Sequence, residues 1–545
     1  MTSTFTRTEN GAVALDTSGN HIVDYFMMYT RTLTKEENYK FIEKCWEINP
    51  QKTVAVIFNG RDRLKGKKEK TVSNQAMLWL RENKPYTYMN NILTYVNKYG
   101  RWKDLLYICY ENRGDGMINK NYELTLFAEK LREDLTELKI QEIRESAEVD
   151  ATDANPKKVN SVSLCAKWAP SENDRNDSRK QFAKKIASIL YDKEDSKKME
   201  KYRKEYLVPL RNKINIVETL MCNNEWDKIN YEGVPGVASR RLHKAFSNHD
   251  SDRYCDYLAS VRSGDAKINV TGILPHELAN YYINLRNTQD EYEENETIEL
   301  QWRTIVENVK SSGSGGVLGN SLAIIDLSGS MFSASNGSIP AQVAIALGII
   351  TSQCCKGMFK NKFITFSADP ELVSLIPDDL YAEYTEKGVE PSLYTCFKSL
   401  INVDFGYNTD FVKCCKKIIE YGKEHAINDE DMPKKLFIYT DMQFDEATTD
   451  ENKESNGIET LYKTIVKMFK AADYTPPKFI FWNLNSSHKE SFPVNCKTEG
   501  TAMISGFSEQ LLKIFMTYDE FKPELIVEEI LAPYLPEIFI DDSEI

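Results

Sequence analysis

The chain has 545 residues, which is too many for a single hydrophobic core and allows about three domains at the usual ~100–200 residues each. Its composition, with 41% hydrophobic and 28% charged residues, excludes a wholly disordered chain. The formal net charge of −13 excludes a protein that coats nucleic acid or anionic membranes through its overall charge. Residues 1–310 carry 49 basic and 47 acidic side chains, and residues 311–545 carry 20 and 35, so the negative excess lies in the C-terminal part.

The sequence has neither the cysteine pattern nor the apolar segments of a secreted or membrane protein. The 11 cysteines include no C-x-x-C pair, so we expect free thiols and a cytoplasmic, reducing location. The first 20 residues contain no apolar segment typical of a signal peptide. The longest apolar stretch, residues 339–350, is too short to cross about 30 Å of membrane hydrocarbon, and we expect no membrane partner.

Residues 23–310 carry the periodicity of successive α-helices. In residues 33–48, for example, Tyr39, Ile42, Cys45 and Trp46 recur at the spacing of one helix face. Similar patterns follow after short polar breaks but without a strict sequence repeat, which predicts an irregular, solenoid-like α-helical region. The preceding residues 1–22 are predicted to form a flexible N-terminus.

A different pattern, of short apolar runs alternating with helices, follows a Gly/Ser linker predicted at residues 311–320. The apolar runs lack polar alternation, which is typical of parallel strands covered by helices on both faces. We therefore predict a multidomain protein with an α/β doubly wound domain over residues 321–520. A C-terminal helix and an acidic tail are predicted over residues 521–545.

Five oxygen-bearing side chains are predicted to meet at the carboxyl edge of this sheet. Asp326, Ser328 and Ser330 form a D-x-S-x-S element directly after the first predicted strand, Thr409 precedes a predicted helix, and Asp441 ends a later strand. Doubly wound sheets bind their ligands at this edge. Two carboxylates and three hydroxyls suit Mg²⁺, or another divalent cation such as Mn²⁺, with water or a partner's carboxylate completing the coordination shell.

This pattern resembles the metal-ion-dependent adhesion site of von Willebrand factor A domains. The D-x-S-x-S element is complete, and Thr409 and Asp441 follow it in the order of that family. The resemblance implies a Rossmann-like domain in which Ser328, Ser330 and Thr409 contact the metal, while Asp326 and Asp441 bind it directly or through water. It also implies a metal that bridges to a ligand and takes no part in catalysis.

The chain as a whole resembles an uncharacterised family that joins a helical region to such a domain and occurs in plants, protists and giant viruses of amoebae. The resemblance rests on residues 99–106 (YGRWKDLL), 161–172 (SVSLCAKWAPSE), 202–250 and 436–445 (LFIYTDMQFD). More distantly, the architecture resembles the Ro ribonucleoprotein autoantigen and its TROVE module, which hold RNA against helical repeats. The Lys- and Asn-rich composition favours a mimivirus-type member, located in the host cytoplasm or packaged in the virion.

Two groups of basic residues in the helical region are candidates for contacts with RNA or DNA. Residues 51–110 alone contain 12 basic and 4 acidic side chains. A basic loop between helices can neutralise phosphates, although basic runs are more often solvated helix faces. The candidate nucleic-acid-binding residues are Arg61, Arg63, Lys65, Lys67, Lys68, Lys70, Arg203, Arg211, Arg240 and Arg241.

The sequence contains no motif of a common enzyme class, since it has neither a Gly-rich phosphate loop nor a G-x-S-x-G element. We therefore predict a non-enzymatic scaffold that captures an acidic residue of a protein partner through Mg²⁺. The alternatives are a Ro-like RNA-binding protein that uses the helical region and a structural protein packaged in the virion. None of these functions implies a particular oligomeric state.

Overall fold

A computed structural model shows a helical part up to Ser311 and an α/β part from Leu318 onward. A hydrophobic core runs continuously through both parts, and a second, smaller core surrounds Tyr231, Phe246 and Tyr254 in the helical part. The structure describes residues 4–111, 117–147, 162–172, 180–192, 194–288, 292–311, 318–332, 340–366, 370–400, 410–445, 461–487, 490–518 and 521–545.

The helical part begins with a hairpin and continues as a series of helices. In the hairpin, strand β1 (Phe5–Arg7) pairs antiparallel with strand β2 (Val13–Leu15). Two π-helical segments are also present, Tyr95–Tyr99 and Tyr202–Leu207. The α-helices are α1 His21–Met28, α2 Lys35–Ile48, α3 Pro50–Arg61, α4 Thr71–Asn83, α5 Pro85–Thr94, α6 Trp102–Glu111, α7 Tyr122–Ala147, α8 Cys165–Trp168, α9 Phe182–Leu190, α10 Lys198–Lys201, α11 Val208–Ile214, α12 Val217–Cys222, α13 Gly236–His249, α14 Ser251–Ser263, α15 Pro275–Thr288 and α16 Glu296–Lys310.

Helix α2 illustrates how local sequence signals set the helix boundaries and the buried face. A capping box begins the helix: the Thr34 hydroxyl accepts a hydrogen bond from the Glu37 backbone N–H, and the Glu37 carboxylate accepts one from the Thr34 N–H. Three residues of the predicted apolar face, Ile42, Cys45 and Trp46, are buried in the core. The helical spacing in the sequence therefore predicts this buried face correctly.

Within the described residues, the α/β part contains six strands, which form one sheet. Its strands are β3 Ser321–Ile325, β4 Lys362–Thr365, β5 Leu372–Ser374, β6 Lys435–Thr440, β7 Lys478–Asn483 and β8 Thr501–Ser505. Its α-helices are α17 Pro340–Cys354, α18 Asp378–Glu386, α19 Leu393–Leu400, α20 Phe411–Glu424, α21 Leu461–Ala471, α22 Ile514–Thr517 and α23 Pro523–Leu531.

The sheet is mixed, with the strand order β5-β4-β3-β6-β7-β8. Neighbouring strands run parallel, except that β5 is antiparallel to β4. The parallel strands are those that the apolar, non-alternating runs predict. The edge strand β5 and helices α18 and α19 were not predicted. Strand β5 spans only three partly buried residues and so carries almost no periodic signal.

Helices cover both faces of the sheet. On one face, the Thr351 hydroxyl of α17 lies 2.6 Å from the Tyr439 hydroxyl of β6. On the other face, the Phe411 ring of α20 lies 6.0 Å from the ring centroids of Phe479 and Phe481 on β7. This double cover is the reason why the strands are apolar on both sides.

The N-terminal hairpin packs against the α/β part, so the prediction of a flexible N-terminus is wrong for residues 4–22. Gly11 forms a β-bridge with Asp445, and Leu15 forms one with Phe492. The Thr8 hydroxyl donates a 2.6 Å hydrogen bond to the Phe444 carbonyl, 436 residues further along the chain. Local sequence patterns cannot reveal partners at such a separation.

The acidic C-terminal residues also pack against the fold. The Glu544 carboxylate accepts hydrogen bonds from the backbone N–H groups of Tyr86 (2.9 Å) and Thr87 (2.8 Å), at the start of α5. The indole N–H of Trp46 on α2 donates to the Glu544 carbonyl at 3.0 Å. A carboxylate in this position satisfies N–H groups that have no partner within the helix. The predicted acidic tail therefore joins the end of the chain to the helical part.

The two parts meet around the predicted linker, of which residues 312–317 lie outside the described residues. Leu318 is buried, and its backbone N–H donates to the Cys354 carbonyl at 2.9 Å. The Trp302 indole N–H of α16 donates to the Gln353 side chain of α17 at 3.0 Å. Across the described ranges, no helix combines the length and the apolar character that crossing a membrane requires.

Candidate functional site

Asp326 and Asp441 lie at the carboxyl edge of the sheet, where the strand order changes direction. Asp326 directly follows β3, and Asp441 directly follows the adjacent parallel strand β6. From β3 the chain first adds β4 and β5 on one side of the sheet and then crosses to β6 on the other. Such a change of direction leaves a crevice between neighbouring loops, which is the usual ligand-binding position in doubly wound sheets.

The two strand ends are held together by hydrogen bonds. The Asp326 backbone N–H donates to the Tyr439 carbonyl at 2.9 Å, which continues the ladder between β3 and β6. The Thr440 hydroxyl donates to the Asp326 carboxylate at 2.6 Å. Thr440 was not among the predicted site residues, although it immediately precedes Asp441 in the sequence.

The D-x-S-x-S loop brings its oxygen atoms to one place. The Asp326 carboxylate accepts a 2.9 Å hydrogen bond from the Ser328 backbone N–H, and the hydroxyl oxygens of Ser328 and Ser330 lie 3.1 Å apart. Asp326, Ser328 and Asp441 are buried, whereas Ser330 is partly exposed and Gly329 is exposed. The group therefore opens toward solvent on the side of the serine hydroxyls.

The electrostatics of this group favour a bound cation. Burial and the neighbouring Asp441 carboxylate raise the pKa of Asp326, and hydrogen bonds from Thr440 and Ser328 act in the opposite direction. Among the described residues, no Lys or Arg forms an ion pair with Asp326. Two buried carboxylates beside two hydroxyls are oxygen ligands of the kind that Mg²⁺ prefers, so these residues fit such an ion.

The fifth predicted ligand, Thr409, lies outside the described residues. The next residue, Asp410, is the N-cap of α20, and its side chain accepts a 3.0 Å hydrogen bond from the Lys413 backbone N–H. Burial raises the pKa of the Cys414 thiol, and the charges of Cys415, Asp410 and Asp326 raise it further. Asp410 and Asp326 are therefore close to the same side chain, and the start of α20 is near the D-x-S-x-S loop.

The N-terminal hairpin supports the loop that carries Asp441. The Gln443 backbone N–H donates to the Asp441 carboxylate at 3.1 Å. The Gln443 side chain accepts from the Glu9 N–H at 2.8 Å, and the Asn10 side chain donates to the Gln443 carbonyl at 2.7 Å. The sequence offers no signal for these contacts, because the hairpin precedes the loop by more than 430 residues.

Three of the predicted nucleic-acid-binding residues are internal, which contradicts their predicted contacts with phosphate groups. The Arg61 guanidinium pairs with Asp104 at 2.8 Å, and both side chains are buried. The Lys67 ammonium donates to the Phe26 carbonyl and to the Ser505 hydroxyl, and the side chain is fully buried. Side chains without access to solvent cannot contact phosphate groups.

Lys68 is the third internal residue. Its ammonium donates to Glu509 at 2.9 Å and to the Ile273 carbonyl at 3.0 Å, and its side chain is only 7% exposed. The Lys68–Glu509 pair thus joins the helical part to the α/β part. Sequence composition cannot distinguish such an internal lysine from one on the surface.

The remaining predicted basic residues differ in their exposure to solvent and in their hydrogen bonds. The partly buried Arg211 donates to the carbonyls of Ala166 (2.9 Å) and Ala169 (2.7 Å), and partly buried Arg240 donates to the Glu277 carbonyl (2.9 Å). These two guanidinium groups have structural roles. Arg63 is partly buried, whereas the exposed members are Lys65, Lys70, Arg203 and Arg241.

Comparisons with known proteins identify the family. The profile described as "Domain of unknown function (DUF2828)" matches residues 8–124 and 122–314, and that described as "Domain of unknown function (DUF7788)" matches residues 320–531. The uncharacterized protein L728 of Acanthamoeba polyphaga mimivirus is 30% identical over 564 residues, which cover 99% of this chain and 89% of the relative. The chain therefore belongs to the DUF2828 family, an uncharacterised family with a member in a giant virus.

Proposed function

We propose that the protein is a non-enzymatic binding protein whose α/β part resembles a von Willebrand factor A domain and captures a carboxylate of a protein partner through Mg²⁺. The observation that carries this proposal is the pair of buried carboxylates, Asp326 and Asp441, beside the converging hydroxyls of Ser328 and Ser330. The strand order, with its change of direction between β3 and β6, is also that of a doubly wound ligand-binding domain.

The arrangement assigns different tasks to the chain's own residues. Asp326 and Asp441 supply negative charge from the buried side, and Thr440 and the Ser328 backbone N–H orient the Asp326 carboxylate. Ser328 and Ser330 supply neutral oxygen donors on the solvent side. Held by these residues, Mg²⁺ would supply a positively charged site to which a partner's Asp or Glu could bind.

The first test is metal binding by wild type and the Asp326→Ala variant. Loss of the buried carboxylate removes both charge and a ligand, so we expect Mn²⁺ affinity to fall by at least about tenfold. Electron paramagnetic resonance of free Mn²⁺ measures this affinity directly. Asp379→Asn is the matched control, since Asp379 is an exposed acid of the same α/β part.

Carboxylate capture is tested on the Mn²⁺-loaded wild type. A short peptide containing Asp should displace water from bound Mn²⁺ and lower its water-proton relaxation enhancement, whereas the same peptide with Asn should not. Mn²⁺ affinity that is equal in wild type and Asp326→Ala would disprove the metal site. Metal binding without any response to the Asp peptide would disprove carboxylate capture alone.

RNA binding by a Ro-like helical region is the second candidate function, and the exposed positions of Lys65, Lys70, Arg203 and Arg241 favour it. Phosphate contacts predict an affinity that falls steeply with salt and does not respond to EDTA. The Lys65→Glu/Arg203→Glu variant is expected to weaken binding of a single-stranded RNA in a filter assay. Unchanged affinity in this variant would argue against the candidate.

An association with virus particles is compatible with either function. The mimivirus relative covers almost the whole chain and supports a role in a virus-infected cell. We propose packaging in the virion as one location, and quantitative mass spectrometry of purified particles would reveal it. A protein found only in infected-cell extract would exclude packaging.

A further inference from the structure

Five cations of the helical part lie close to one another, and three of them surround Trp168. Arg63 follows α3, Lys70 precedes α4, Arg101 and Lys103 lie at the start of α6, and Lys167 is on α8. We call these five residues the cationic cluster. Three of them were not among the predicted nucleic-acid-binding residues, because they come from segments that only the fold brings together.

Trp168 is the common neighbour of three members of the cationic cluster. The Arg101 guanidinium carbon lies 5.4 Å from the Trp168 ring centroid, and the ammonium nitrogens of Lys103 and Lys167 lie 5.8 Å and 6.0 Å from it. The indole ring is partly exposed. Cation–π attraction therefore holds three positive charges near one aromatic ring.

The acid at the centre of this region is already neutralised by another residue. The Asp104 carboxylate accepts from Arg61 at 2.9 Å, from the Arg101 backbone N–H at 2.9 Å and from Asn74 at 3.3 Å. Arg61 is buried with it. The Asp104 carboxylate is therefore neutralised by Arg61 and does not compensate the positive charge of the cationic cluster.

Members of the cationic cluster have no ion-pair partner in the part of the chain that the structure describes. The buried Arg63 Nε atom also has no hydrogen-bond partner there. By contrast, several exposed basic residues elsewhere in the helical part are paired, as in Lys204–Glu200, Arg241–Glu218 and Arg262–Glu296. Partial burial and the charges of Arg101 and Arg61 lower the pKa of Arg63 to about 10, so these cations repel one another.

We propose that the cationic cluster is a binding site for a compact anion that carries two or more phosphate groups. Several convergent guanidinium and ammonium groups match clustered phosphate oxygens, and the Arg63 Nε–H supplies a buried donor without a partner. The ligand class includes inorganic polyphosphate, inositol polyphosphates and nucleoside triphosphates. Trp168 offers a ring against which the base of a nucleotide can stack.

A small ligand fits the cationic cluster better than a nucleic-acid strand does. Three of the unpaired cations are gathered around Trp168, whereas a strand needs a track of free cations along the surface. The neighbouring basic residues that would extend such a track, Lys67 and Lys68, are internal. Binding of RNA in place of a small anion is therefore the competing outcome of the test.

The test measures binding of tripolyphosphate, inositol hexakisphosphate and ATP to the full chain by calorimetry. EDTA is present throughout, so that the proposed metal site of the α/β part makes no contribution. We expect the Arg63→Gln/Lys103→Gln variant to lose at least about tenfold in affinity, since two of five attractive charges are removed. The single variant Lys103→Gln, at an exposed position, gives a smaller loss and protects the test against misfolding of the double variant.

A matched control and a second readout separate this site from general charge effects. Lys204→Gln/Arg262→Gln removes the same charge from an exposed surface and should bind the three anions as wild type does. Without ligand, the Arg63→Gln/Lys103→Gln variant should melt no lower than wild type, because it relieves repulsion. With tripolyphosphate, the melting temperature should rise for wild type and the control only.

The outcomes distinguish the ligand sources. ATP that binds more tightly than tripolyphosphate assigns the site to nucleotides, and equal affinities assign it to phosphate groups as such. The proposal is overturned if none of the three anions binds, or if the control variant loses as much affinity as the cluster variant. It is also overturned if only a 5′-phosphorylated single-stranded RNA binds.

Discussion

Lys68→Met should destabilise the folded protein by about 3–5 kcal/mol, because it leaves the buried Glu509 carboxylate without its cation. The two side chains are only 7% and 3% exposed, so water cannot replace the lost ion pair. Urea unfolding followed by tryptophan fluorescence measures the change. Lys65→Met, in the same loop but at an exposed position, should change the free energy of unfolding by no more than about 0.5 kcal/mol.

A double substitution shows whether loss of the ion pair causes the loss of stability. Lys68→Met/Glu509→Met removes both charges, and we expect it to recover most of the stability that Lys68→Met loses. If Lys68→Met instead keeps wild-type stability and weakens RNA binding, Lys68 contacts phosphate and its internal position is refuted. The experiment thus decides between the sequence-based and the structure-based role of this lysine.

In wild type, we expect the free energy of unfolding to fall by about 3 kcal/mol between pH 4.5 and 7 because Glu299 titrates. The Glu299→Gln variant should not show this decrease. Burial raises the pKa of Glu299 to about 7, and the Glu294 charge adds to this. Hydrogen bonds from the Tyr282 hydroxyl and from the Leu393 and Tyr394 N–H groups oppose the rise.

The sign of the effect follows from the raised pKa. The folded protein holds a proton on Glu299 that the unfolded chain releases near pH 4.5, so folding is favoured at low pH. As pH rises through the folded pKa, about 1.4 kcal/mol is lost per pH unit until the folded state also releases its proton. Unfolding free energies at pH 5, 6 and 7 measure the slope for wild type and Glu299→Gln.

Glu307→Gln is the control on the same helix, because Glu307 is exposed and pairs with Arg303 at the surface. Its pH slope should match that of wild type. A slope in Glu299→Gln that equals the wild-type slope would show that Glu299 does not titrate in this range. In that case the contact between α16 and α19 does not depend on the protonation of Glu299.

The candidate metal site was only partly predictable from the sequence. The D-x-S-x-S element needs no long-range information, because its donors lie within five consecutive residues after an apolar strand. The position of Asp441 beside Asp326 depends on the pairing of β3 with β6, whose residues are more than 100 positions apart. The bracing of the Asp441 loop by Glu9 and Asn10 depends on a contact over an even longer separation.

The burial of the basic residues could not be predicted from the sequence. A lysine has the same charge in every sequence pattern, yet Lys65 is exposed, Lys68 pairs internally with Glu509 and Lys67 is wholly buried. Burial of a charge depends on which distant groups can satisfy it, and these are chosen by tertiary packing. The cationic cluster likewise arises from three separate segments that the fold brings together, one of which carries Trp168.

The sequence by itself determined the division into a helical part and an α/β part, the parallel strands and the D-x-S-x-S loop, because hydrophobic periodicity and turn chemistry act over a few residues. Only the tertiary structure determined that the edge strand is antiparallel, that both chain termini pack against the fold, and which basic side chains reach solvent. These features depend on contacts between residues hundreds of positions apart, and such contacts leave no local pattern in the sequence.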